Sequence, residues 1–126
     1  MSDMMRAISE TLRGTDELKG VVIKPYVRPE SLAKDKASVV IVPLSSPLQS
    51  DFASDRPQRM RFSYQINVEA SSKNEVITLA IAVKEALLSM GFLQEQGGLD
   101  EYFPETGRYV DARHYRGYSP VYQTDY

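Results

Sequence analysis

Met60, Phe62, Tyr64, Ile66, Val68 and Ala70 alternate strictly with Arg61, Ser63, Gln65, Asn67 and Glu69. That period of two predicts a strand with one apolar and one wet face. At about 3.4 Å per residue it spans roughly 35 Å, longer than most strands, so part of it is expected to project as a hairpin arm. Ser72-Lys73-Asn74-Glu75 follows with capping-box spacing. Val76, Ile77, Ala80, Val83, Leu87 and Met90 then form the predicted core stripe of a long helix, ended by Gly91 as a left-handed C′ residue.

The N-terminal stretch has the same helical period. Asp3 is a candidate N-cap, Met4 or Met5, Ile8 and Leu12 make the stripe, and Gly14 is the expected C′ residue. Residues 15–18 add a short turn. Residues 21–27 form a β-rich run interrupted by Pro25, which lacks a ladder donor and so marks an edge or bulged strand. Val39-Val40-Ile41-Val42 reads as a strand buried on both faces. Residues 45–59 carry neither period and read as a long loop, expected to be mobile, with Phe52 as its one large apolar residue. After the long helix, Phe92 and Leu93 open a strand and Gly97-Gly98 signals a turn or bulge. Leu99 to Phe103, a turn at 104–107 and Tyr109 to Tyr115 then make a hairpin. The turn requires a positive φ at Gly107, and Tyr109 is expected to be buried.

This order predicts an α+β domain: a mostly antiparallel sheet of about five strands, with an N-terminal helix and one long helix packed on one face. The 126 residues suit one domain, with residues 117–126 as an extended tail. A chain of this size buries roughly two thirds of its unfolded surface, enough for a single core. The formal charge of −2 argues against a dedicated nucleic-acid binder. With no cysteine there is no disulfide framework and no thiolate chemistry. Nothing in the sequence reads as a membrane span or a signal peptide, so a cytosolic soluble protein is expected.

Candidate chemistry is sparse. His114 is the only histidine and has no evident partner for metal binding or acid–base work, so a structural role is expected. Asp100, Glu101 and Glu105 could hold a divalent cation but read better as solubility charges. No phosphate-binding or nucleophile motif is present. No enzyme, no cofactor and no metal site are therefore expected. The last quarter is different. Tyr102, Tyr109, Tyr115, Tyr118, Tyr122 and Tyr126 are interleaved with Arg108, Arg113 and Arg116. Tyrosine with arginine is interface composition. It is also compatible with base stacking, or with the simple preference of tyrosine for strands.

Within that segment, Glu105, Thr106, Gly107, Tyr109, Tyr115 and Arg116 match a motif at the C-terminal hairpin of the tail-completion proteins of long-tailed bacteriophages. The chain resembles that family, also called tail terminators or tail-to-head joining proteins, in this motif and in element order. Val110 departs, being often His in relatives. The resemblance implies a virion protein, made in the host cytoplasm and placed at the tail–head junction. It would form a ring, usually a hexamer, that caps the tail tube, ends its growth and meets the head connector. Its implied partners are further copies of itself, the tail-tube protein and the head connector protein, with no membrane and with DNA only in the ring lumen. The expected interface residues are Phe52, Arg61, Tyr102, Glu105, Arg108, Tyr109, Arg113, Tyr115 and Arg116. Arg113→Glu is expected to block assembly without harming the monomer. A small cellular adaptor or nucleic-acid-binding module is the alternative from another class, and a small hydrolase using the acidic cluster is a third.

Overall fold

A computed structural model describes residues 3–26, 36–44, 48–53 and 56–120, except for the side chains at 3, 48–59 and 119–120. In chain order the elements are α1 (Asp3–Arg13), a 3-10 turn (Asp16–Leu18), β1 (Val22–Pro25), β2 (Ser38–Pro43), β3 (Leu48–Ala53), β4 (Arg56–Ala70), α2 (Lys73–Ser89), β5 (Leu93–Phe103) and β6 (Arg108–Pro120). The described strands form one sheet in the order β1-β2-β4-β6-β5, with β3 paired to β4 off that path.

The domain is α+β, as the patterning implies, but the sheet is mixed. β1 runs parallel to β2, and every other pairing is antiparallel. A parallel neighbour needs a connection of a dozen or so residues to return the chain to the same end, and residues 26–37 supply that length. Pro25 sits at the end of β1 on the sheet edge, where its missing donor costs no ladder bond.

The core lies on one face of the sheet. Phe62, Tyr64, Ile66, Val68 and Ala70 of β4 point into it, beside Val39 and Ile41 of β2. Met5, Ile8 and Leu12 of α1 and Val76, Leu79, Ala80, Val83 and Leu87 of α2 cover them. Ile77, expected in this layer, is exposed instead, and Leu79 and Ala82 take its place. The stripe rotates because Val76, Leu79, Ala80, Val83 and Leu87 follow the i, i+3, i+4, i+7 spacing more closely, which leaves Ile77 on the outer side. Ser72 caps α2 by accepting the Glu75 amide at 3.3 Å. Gly91 takes the left-handed conformation expected of it. Gly14 does not: its amide donates to Glu10 O at 3.0 Å, and the chain passes into the 3-10 turn without a left-handed residue. Asp3 is itself helical, so it is not a cap standing before the helix.

Two segments read as irregular are strands. Residues 48–53 form β3, and β4 begins at Arg56, so much of 45–59 is a hairpin in register Leu48↔Arg61 to Ala53↔Arg56. Apolar alternation is absent there, so the strand signal comes from backbone pairing alone. Residues 45–47 and 54–55 lie outside the described residues. β6 likewise continues past Gly117 to Pro120, pairing Arg59↔Pro120 through Phe62↔Gly117. A Cβ at Gly117 would lie 2.7 Å from the Phe92 ring, so its lack of a side chain admits that ring. Residues 121–126 are outside the described residues. No helix among the described residues is long and apolar enough to cross a membrane.

Candidate assembly interface

The sheet face away from the helices carries the wet positions of β4. Register places Arg61 opposite Tyr118, Ser63 opposite Arg116, Gln65 opposite His114, Asn67 opposite Ala112 and Glu69 opposite Val110. β5 adds Leu93, Leu99 and Phe103 to the same face, opposite Arg116, Ala112 and Arg108. A concave groove of about 370 Å³ lies here, floored by Leu99, Phe103, Val110 and Ala112. Gln65, Asn67 and Glu69 form one wall, and Glu105 and Thr106 of the hairpin turn form the other. Val110 is part of this apolar floor.

β5 is held in that shape by a bulge. Register slips between Glu95 and Gly98, so the two glycines read as a turn or bulge form the latter inside one continuous strand. Gly98 has φ +97°, and a Cβ there would sit 1.9 Å from the Ala112 carbonyl oxygen. Beyond the bulge the turn closes with Gly107 at φ +69°, as its position in the turn requires, and its amide donates to Phe103 O at 2.9 Å.

The expected interface residues separate into inside and outside. Tyr115 is only 1% exposed and belongs to the core. Arg108 is 3% exposed: its Nη2 donates to the Lys36 carbonyl at 3.0 Å, and its Nε lies 3.7 Å from Glu69 Oε1. These two side chains are therefore engaged within the protomer and tie the hairpin to the sheet. Tyr109 is half-buried, packed on the core's edge and against the exposed Tyr102, with ring centroids 4.6 Å apart. Arg61 and Arg116 remain accessible on the outer face, with Arg116 Nη1 at 3.5 Å from Glu95. Glu105 is exposed at the turn. Phe52 lies in β3 with its backbone opposite Pro57, and its side chain is outside the described residues.

Arg113 is on the helix side of β6, beside a second hollow lined by Gln94, Gly98, Asp100 and Asp111. Its Nε lies 2.9 Å from Asp111 Oδ1. Burial pushes the Asp111 carboxyl above the usual aspartate value, and Asp100 adds to the rise while Arg113 opposes it. The Tyr115 hydroxyl is raised in the same way, first by burial and then by Asp111, against the charge and hydrogen bond of Arg113. Reversing Arg113 would set a second carboxylate beside Asp111, so Arg113→Glu is expected to weaken the monomer, where the sequence alone suggested it would be spared. The sequence could not show this, because Asp111 looks like one more strand charge until burial is known.

The remaining candidates lie along the sheet. His114 Nε2 lies 3.1 Å from Gln65 Oε1, and the Gln65 amide donates to Asn67 Oδ1 at 2.8 Å, forming a polar ladder along the outer face. Asp100 and Glu101 pair with Asp111 and Val110, so the pleat sends them to opposite faces. No group of three or more His, Asp or Glu among the described residues is placed to hold a metal ion.

No protein-family model matches this chain, and no curated protein matches it. Among solved structures, a chain from the virion of a native gene transfer agent particle matches over 88% of this chain and 90% of its own length, with a TM-score of 0.59 and 16% identity. At that identity the likeness is one of fold: the helix-covered sheet described above is an architecture found in a virion.

Proposed function

We propose that this chain is a structural virion protein that forms a ring on the end of a tail tube, ends tube growth and joins the tail to the head connector. The observation that carries this reading is the fold likeness to a chain of a gene transfer agent virion across nearly the full length of both chains. The C-terminal hairpin motif supports the tail-completion role within that class. No reaction is involved. One face of the ring matches the last ring of tube subunits, the other matches the connector, and DNA passes through the lumen. A heterologous contact that closes after a fixed rotation leaves no free end, which suits a protein that stops polymerisation. The ring is expected to be a hexamer. Its contacts are assigned to the β3–β4 arm, Phe52 included, and to the accessible hairpin residues Tyr102, Glu105, Tyr109 and Arg116 with Arg61 beside them.

The test is complementation of a phage lacking this gene, read by electron microscopy. Its loss is expected to give overlong or headless tails, rescued by the wild-type chain. Normal infectious particles without the gene would overturn the reading.

A further inference from the structure

The side of α2 that faces away from the sheet carries a ridge. Ile77, Ile81 and Leu88 are 46%, 49% and 54% exposed, and their spacing of four and then seven residues puts them on one side of the helix. Lys73 and Lys84 fall on the same side and are exposed. Three large aliphatics in line on a surface helix exceed the scattered apolar exposure ordinary for a monomer. The groove floored by Leu99, Phe103, Val110 and Ala112 lies on the opposite face of the sheet, with Glu69 and Glu105 on its walls.

We propose that the α2 ridge of one copy docks in the sheet groove of the next, and that this contact builds the ring. The inference rests on the ring reading above and adds a helix-to-sheet contact to those assigned there to the arm and the hairpin. The occupant is argued from fit and charge. Ile77 to Leu88 covers about 16 Å at about 1.5 Å per residue. Leu99 to Phe103 covers about 14 Å at about 3.4 Å per residue. The ridge is apolar with Lys73 and Lys84 beside it, and the groove is apolar with the exposed Glu105 on its turn wall, Glu69 being engaged by Arg108. Ridge and groove are on opposite faces, so a copy cannot fill its own groove. The same opposition keeps two copies from filling each other's grooves at once, because the face that offers a ridge turns its own groove away from the partner. The result is a head-to-tail series, which must close or grow.

Native mass spectrometry of the full chain at millimolar concentration tests this. Ile81→Asp spoils the ridge and leaves the groove. Leu99→Asp spoils the groove and leaves the ridge. Both positions are exposed, so both variants should melt as the wild type does. Each alone is expected to be monomeric, and an equimolar mixture to give one-to-one dimers and nothing larger. Should either aspartate variant melt early, Lys84→Glu and Glu105→Lys are used in the same way, and the double variant is expected to regain rings. A wild-type ring with both single variants still forming rings would overturn the docking and leave the ring reading standing. Loss of assembly with the ridge variant but not the groove variant would also overturn it, pointing to a two-fold helix contact. A wild-type chain that stays monomeric would overturn the ring reading itself.

Discussion

Asp111 and Arg113 show how much a single position depends on its surroundings. In the sequence both are charges on an aromatic strand. In the fold Asp111 is 5% exposed and held at 2.9 Å by Arg113. The Asp111 carboxyl titrates above the 3.8 usual for aspartate, chiefly because of burial. The native state therefore binds this proton more tightly than the unfolded chain does. The associated stability is present in full below about pH 3.8 and is lost as pH rises through the folded value. Compared with the Asp111→Asn variant, the wild type is expected to lose stability between pH 3.8 and neutrality, measured by urea unfolding across that range. Curves that stay parallel would mean that Arg113 cancels the burial. At pH 7 Arg113→Glu should destabilise by on the order of 2–3 kcal/mol, because the buried carboxylate loses its partner and gains a like charge. Arg116→Glu should cost well under about 1 kcal/mol, since Arg116 and Glu95 are both solvated.

At the scale of elements, the C-terminal hairpin is organised by two glycines with different duties. Gly107 closes the turn at φ +69°, and a Cβ there would meet nothing within 4 Å. Only backbone strain opposes a side chain, so Gly107→Val should cost about 1–2 kcal/mol. Gly98 also has a positive φ, but the Ala112 carbonyl stands where its Cβ would be. Gly98→Ala must therefore break the bulge, and about 3 kcal/mol or more is expected. Thermal melts of the two variants rank them directly. Equal losses would mean that the bulge relaxes freely and does not shape the groove. The hairpin turn was legible from Pro104 and Gly107 because each acts through its own backbone. The bulge was half legible: Gly97-Gly98 announced an irregularity, but its place inside one strand depends on pairing with β6.

For the whole molecule, the β3–β4 arm lies off the main strand path, hydrogen-bonded to the outer half of β4. Replacing residues 49–58 with a short turn is expected to change monomer stability by no more than about 1 kcal/mol while abolishing assembly. Differential scanning calorimetry gives the first result and sedimentation velocity the second. A truncated chain that still assembles would remove the arm from the interface. Hydrogen exchange should now protect the β3 amides that pair with β4, contrary to the uniform fast exchange a loop over 45–59 would show.

The sequence by itself determined the elements whose signal is local. The β4 alternation, the Ser72 cap, Gly91, the Pro104–Gly107 turn and the short run of β2 each read correctly because period and turn chemistry act within a few residues. It also determined the fold class, since two amphipathic helices and one half-wet sheet leave few ways to bury their apolar sides. The parallel β1–β2 pair, the β3 strand and the extension of β6 to Pro120 were decided by pairing between distant segments, which no local pattern encodes. The burial of the candidate interface residues was decided in the same way. Tyr115 and Arg108 looked like their neighbours Tyr102 and Arg116. For Tyr115 the pleat of β6 decided, turning it into the core, whereas Arg108 shares a face with Arg116 and is enclosed by Glu69 and the Lys36 carbonyl, partners that only the assembled sheet brings to it.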